Sequence, residues 1–220
     1  VAWNGRADTE VEILVKSQRN KDAEVDDLST VEAKKELSSP DANRRREAAV
    51  ALYGRKAALS ALVDRLEEED TPAVREAIIN SLISLDSPKV VDTFIAKLRC
   101  DEAEHRNEAV YALQQMPERS AQKVKKLLID SDADVRIMAV DIIRLLTISD
   151  APEWRGVLLE SEENPNVVGV AMDRLSEIGS VNEVPVLEAV IERFSGDAYL
   201  QFATSHAIDR IKAIYSEGPI

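Results

Sequence analysis

The residues best suited to chemistry in this sequence are few: one cysteine, Cys100, and two histidines, His105 and His206. A thiol with a nearby imidazole is the start of a nucleophilic pair, but Cys100 is followed by Asp101, which puts negative charge where an activated thiolate needs positive charge. No third residue is set to orient His105 as a base. Zinc and iron sites draw on several His or Cys at defined spacing. Here His105 precedes Arg106 and His206 precedes Ala207, so the expectation is no metal site and no catalytic group. The Walker, G-x-S-x-G, H-E-x-x-H, G-x-G-x-x-G and EF-hand spacings do not occur. Paired carboxylates are so frequent that no pair stands out for acid–base work. No cofactor is expected.

Charge and composition narrow the classes further. The chain has 220 residues with 28 Lys+Arg and 41 Asp+Glu, a formal charge of −13, which opposes a phosphate backbone and argues against nucleic acid as a partner. Apolar residues make up 45% with only 7 Gly and 8 Pro, enough for a core and too little turn material for an all-β fold. No apolar run approaches the roughly 20 residues of a membrane span. The chain opens on Val1, so a leader removed upstream is compatible with it, and localisation is left open between the cytoplasm and export.

The elements that position these residues come from a repeat. Leu52, Leu82, Leu113, Ile143, Leu175 and Ile208 recur at steps of 30 to 33 residues. Seven residues before each lies Arg45, Arg75, Arg106, Arg136, Val168 or Gln201, and four before those lies Asp41, Thr71, Glu102, Asp132, Asn164 or Asp197, mostly good helix N-caps. The next residue is Ala or Pro, suited to a first helical position. Apolar residues at i, i+3 and i+4, as in Ala48, Ala51 and Leu52, predict a first helix in each unit. Breaks at Gly54, Asp86–Pro88, Pro117, Ser149–Pro152 and Gly179–Ser180 precede a second helix, marked by sets such as Val91, Phe94, Ile95 and Leu98. The expected fold is all-α, an α-solenoid of about six two-helix repeats starting near 41, 71, 102, 132, 164 and 197, the last lacking its second helix. Ser29 and Glu32 suggest a capping box for a half repeat over 28–38. Residues 1–27, with Trp3, fall outside the repeat and read as an arm or linker, leaving 28–220 as the repeat domain.

The pattern D-x-x-x-x-R-x-x-A-x-x-A-L, as in Thr71-Pro72-Ala73-Val74-Arg75 running to Ser81-Leu82 and Asp132 to Arg136 running to Ile142-Ile143, resembles a HEAT repeat, and its short period is similar to the HEAT-like repeats named after phycobilisome lyases. The resemblance implies a right-handed superhelix with second helices lining a concave, partner-binding face. Carried onto this chain it puts Lys89, Asp92, Lys97, Lys123, Lys126, Trp154, Arg155, Glu188 and Glu192 on or near that face. Trp154 as an aromatic anchor, with Lys123, Lys126, Arg155, Lys89 and Lys97, forms the candidate contact surface.

In such arrays the repeated arginine pairs with an acidic group of a neighbouring unit. The ladder Arg45, Arg75, Arg106 and Arg136 therefore reads as structural rather than as a phosphate stripe. Its absence at Val168 and Gln201 predicts looser joints. The acidic clusters 67–70, 101–104, 130–134 and 160–163 fall in the turns between units, facing the positive ends of the next helices. The functional expectation is a non-catalytic scaffold or adaptor that binds another protein. The alternative implied by the resemblance is an auxiliary factor for chromophore attachment, like bilin lyases, holding two reactants close without catalytic residues of its own. A DNA-repair role like that of HEAT-fold glycosylases is opposed by the charge.

Overall fold

The computed structural model describes residues 29–145 and 158–216, and all regular structure among them is helical. The helices are α1 over 29–36, α2 Ala42–Ala51, α3 Leu59–Glu68, α4 Pro72–Ser84, α5 Pro88–Lys97, α6 Ala103–Gln114, α7 Pro117–Leu127, α8 Ala133–Leu145, α9 with 158–161 described, α10 Pro165–Ile178, α11 Val184–Arg193 and α12 Ala198–Ser216. The fold is the all-α class of stacked helix pairs. Residue 29 is itself helical, so Ser29 lies inside α1 and not at its cap. The candidate break at Ser149–Pro152 lies outside the described residues.

Starts and stops follow local chemistry. Asp41 accepts the Asn43 backbone N–H at 2.8 Å, Asn164 that of Asn166 at 2.9 Å, and Asp197 that of Leu200 at 3.0 Å, each meeting one of the orphan donors at a helix start. Proline occupies the first turn of α4, α5, α7, α10 and α11, where its missing N–H costs nothing. Gly54 takes φ +73°, a left-handed conformation that turns the chain after α2 with no Cβ to clash.

The chain forms two compact units, divided after Asp86. In the first, α2 and α3 pack on α4. The Ser81 hydroxyl donates to the Ala49 carbonyl at 2.7 Å and Gly54 N–H to the Ser84 hydroxyl at 2.8 Å, so the hydrogen bonds fix the register of α4 against α2. In the second, α6, α8, α10 and α12 pack in succession, α5 lies on α6 and α7, α7 on α8, and α11 on α12. The leucine-like position that defines the repeat is buried in all six units, from Leu52 to Ile208, and so is the position four before it: Ala48, Ile78, Ala109, Ala139, Ala171 and Thr204. Alanine or threonine at that second position in five of the six repeats lets neighbouring first helices approach closely. At Gly169 a Cβ would lie 3.1 Å from the Tyr199 ring.

Candidate functional site

The arginine ladder comes first, because it decides which charges are left for a partner. Each arginine turns back on the loop before its own helix. Arg45 donates to the Ser39 carbonyl at 2.9 Å, Arg75 to Glu69 at 2.7 Å, Arg106 to Cys100 at 2.8 Å and Arg136 to Asp130 at 2.7 Å. The acceptor is the residue six before the arginine in every case. Those carbonyls close the turn after a second helix, where no intrahelical donor exists. A planar guanidinium reaches two of them at once, and Arg75 also takes the Leu66 carbonyl at 3.0 Å.

Two ladder arginines also make bidentate ion pairs with the next inter-repeat turn. Arg45 meets Glu69 at 2.7 and 2.9 Å, and Arg136 meets Glu162 at 2.6 and 2.9 Å. Both glutamates are buried and cap the following helix: Glu69 accepts the Thr71 N–H at 2.9 Å and Glu162 the Asn164 N–H at 2.8 Å. Burial pushes the Glu69 carboxyl up, but bonds from Arg45, the Thr71 backbone and hydroxyl, and Arg65 outweigh it and hold the group at about 2. Glu162 is lowered in the same way, against burial, chiefly by Arg136 and the Asn164 N–H. Arg45 and Arg136 are raised by their bonds to these glutamates.

Where the arginine is missing, other side chains bond nearby carbonyls at the end of the preceding helix. The position of Val168 is apolar and buried, and Arg193 of α11 instead donates to the Leu159 and Glu160 carbonyls at 2.6 and 2.9 Å. Gln201 donates to the Ile191 and Phe194 carbonyls at 2.6 and 3.2 Å. The joints expected to be looser thus have donors of their own, a long side chain from another helix or an amide in place of the guanidinium, on neighbouring carbonyls rather than the one six residues back.

A cleft of about 320 Å³ opens beside the second clamp, among Leu128, Ile129, Arg136, Leu158 and Glu162. Two of its charged walls, Arg136 and Glu162, already spend hydrogen bonds on each other, and Asp130 pairs with Arg99.

The candidate contact residues sit on α5 and α7, which pack side by side in the second unit. Lys123 is half-buried and pairs with Asp92, and Arg99 pairs with Asp130, so two ion pairs tie this helix layer together. Lys97 and Lys126 lie in the last turns of α5 and α7, where a cation meets the negative end of the helix. Lys89 is exposed in the first turn of α5, two after its cap Ser87, the end where the helix dipole opposes a cation. Trp154 and Arg155 lie outside the described residues. The structure thus brings Lys89, Lys97, Lys123 and Lys126 into one pair of helices.

One grouping had no helical period to signal it. The ligand atoms of Cys100, Glu102 and His105 lie within 4.8 Å of one another at the start of α6. The His105 Nδ1 is 3.8 Å from a Glu102 carboxylate oxygen, and the Cys100 thiol donates to the Glu102 carbonyl at 3.5 Å. Its spacing, i, i+2 and i+5, runs across a turn-to-helix junction, so neither a helix nor a strand pattern would have flagged it.

With this geometry in place, comparison with known proteins gives the following. Residues 32–114 match the family model for HEAT repeats. The chain is 25% identical to an uncharacterized phycocyanin operon protein Z of Pseudanabaena tenuis (strain PCC 7409), over 71% of this chain and 81% of that protein. Among solved structures it is similar to the archaeal HEAT-like repeats protein of Thermococcus onnurineus NA1, with 15% identity, 84% of this chain and 87% of that chain covered, and a TM-score of 0.46. It is also similar to the complex of CpcE and CpcF of phycocyanin lyase from Nostoc sp. PCC7120, with 18% identity, coverage of 81% and 93%, and a TM-score of 0.36.

Proposed function

We propose that the chain, which is a HEAT-repeat protein, works as a non-catalytic adaptor that binds another protein through its second-helix side, centred on α5 and α7. The observation that carries this is where charge is left over. The arginines between repeats are consumed by carbonyls and buried glutamates. By contrast Lys89 and Lys126 are exposed, and no ion pair joins either to a described carboxylate. Lys89 also stands against its helix dipole, a placement with no local reward that a partner's carboxylate would supply.

The test is affinity capture followed by measurement on the purified partner. The Lys89→Glu/Lys126→Glu double variant should bind at least about tenfold more weakly, because rim charge reversal places like charges together. Neither lysine ties the fold, so the far-ultraviolet circular dichroism should not change. Equal binding by parent and variant would put the contact surface elsewhere.

A second reading, an auxiliary factor for chromophore attachment, is favoured by one observation, the relative named for a phycocyanin operon. It requires the chain to hold a tetrapyrrole, and mixing the two should then shift the pigment's absorbance band. An unshifted spectrum with several tetrapyrroles removes it.

A further inference from the structure

We propose that Cys100, Glu102 and His105 form a binding site for a zinc-class divalent cation, with the remaining coordination positions filled by water. The three side chains offer a thiolate, a carboxylate and an imidazole, the mixture that borderline metals such as Zn²⁺ select over Mg²⁺ or Ca²⁺. Their ligand atoms already lie within 4.8 Å of one another. Bond lengths of about 2.0–2.3 Å to a common ion then need closure of the order of 1 Å, within the reach of side-chain rotation. On binding, the thiol releases its proton to solvent and the sulfur pair is donated to the metal.

Two features separate this place from an ordinary acidic turn. The first is that three positions with structural duties in most other repeats have given them up together. Two before the helix cap, other repeats carry Ser39, Glu69, Asp130 and Glu162, whose oxygens accept the cap residue's N–H; here the residue is Cys100. The cap is Glu102, which like Thr71 makes no side-chain capping bond, where Asp41, Asp132 and Asn164 do. The third residue of the helix is His105, where Val74, Val135, Val167 and Leu200 are buried core and the first repeat has the exposed Arg44. The second is that the backbone carrying them is tied down: Arg106 donates to the Cys100 and Asp101 carbonyls at 2.8 and 2.7 Å. That fixes the turn against the helix start and preorganises the ligands. The neighbouring Asp101 and Glu104, both exposed, add attraction for a cation without sitting among the three ligands.

The full chain, reduced and kept free of oxygen, is titrated with Co²⁺ and then Zn²⁺. The expected result is a near-ultraviolet thiolate-to-cobalt charge-transfer band with visible d–d bands, reaching an endpoint at one ion per chain and abolished by one equivalent of Zn²⁺. Cys100→Ser should remove the charge-transfer band, and His105→Ala and Glu102→Gln should each weaken binding at least about tenfold. All three variants should keep the parent's far-ultraviolet circular dichroism. The Glu68→Gln/Asp70→Asn variant, which thins an acidic turn elsewhere, should bind as the parent does. The proposal is overturned if no thiolate band forms, or if Zn²⁺ affinity is the same in Cys100→Ser and His105→Ala as in the parent. Equal weakening by Glu68→Gln/Asp70→Asn and His105→Ala would also overturn it, since the ion would then be reading only the acidic surface.

Discussion

At the residue scale, the arginine ladder is a device for carbonyls first and for carboxylates second. All four arginines bond the carbonyl six residues back, whereas bidentate pairs to a glutamate form at Arg45 and Arg136. The pairing has a consequence in acid. Glu69 titrates at about 2 in the fold, below its ordinary 4.5, so the folded state binds this proton less readily than the unfolded chain. The stability it contributes is complete above about pH 5 and is lost as pH falls through about 4.5 toward 2. Glu162 is shifted in the same direction and adds to the effect. Glu69→Gln should therefore cost about 1–3 kcal/mol at pH 7, where it weakens charge-assisted bonds to Arg45 and Arg65. The cost should shrink toward pH 3, where the carboxyl of the unfolded chain, at its ordinary 4.5, has taken up a proton that the folded clamp still resists. Urea unfolding at the two pH values measures this, and a cost that stays constant would mean that the clamp does not act as an ion pair.

At the element scale, two glycines close helices for opposite reasons, and substitution separates them. Gly54 ends α2 at φ +73° with nothing within 4 Å of a built Cβ. Its requirement is conformational, so Gly54→Asn should cost less than Gly54→Ala, Asn being the better tolerated in the left-handed region. Gly179 ends α10 at φ −65°, where any residue is at ease, but a Cβ there would lie 2.5 Å from the Ile211 Cδ1 and 2.6 Å from the Leu175 carbonyl oxygen. Its requirement is steric. Gly179→Ala should cost about 1–3 kcal/mol, and Gly179→Asn more. Denaturant midpoints for the four variants give the comparison, and the same ranking at both sites would refute it. Sequence reading reached these breaks as breaks, because glycine punctuates a helical period, but could not tell a left-handed turn from a crowded one. The same divide runs through the rest. Positions such as Leu82 and Leu175 were legible because burial repeats with the period. Arg193 was not, because it reaches the carbonyls from α11, a place that no repeat alignment equates with Arg45, and Gln201, though it stands at the ladder position, is not the residue type that the ladder repeats. The Cys100, Glu102 and His105 grouping was passed over for a related reason: it is visible only once the turn before α6 has a shape.

At the scale of the whole molecule, the described helices of each unit pack chiefly on the helices one or two along in sequence, so stability is approximately a sum of repeat terms and nearest-neighbour terms. A lesion at one joint should then be felt locally. Arg136→Met tests this, because the aliphatic stem is kept while the bonds to the Asp130 and Ser131 carbonyls and to Glu162 are removed. Glu162 is left buried with its charge partner gone, though it keeps the Asn164 N–H. The cost falls on the turn before α8 and on the start of α10. Native-state hydrogen exchange should show amides over 132–140 and 164–170 exchanging about tenfold faster or more. Those of α2, α3 and α4, which have their own clamp at Arg45 and Glu69, should stay within about twofold of the parent. Uniform loss of protection across both regions would mean that the chain opens as one cooperative body. The nearest-neighbour account of the repeats would then fail, however regular their spacing.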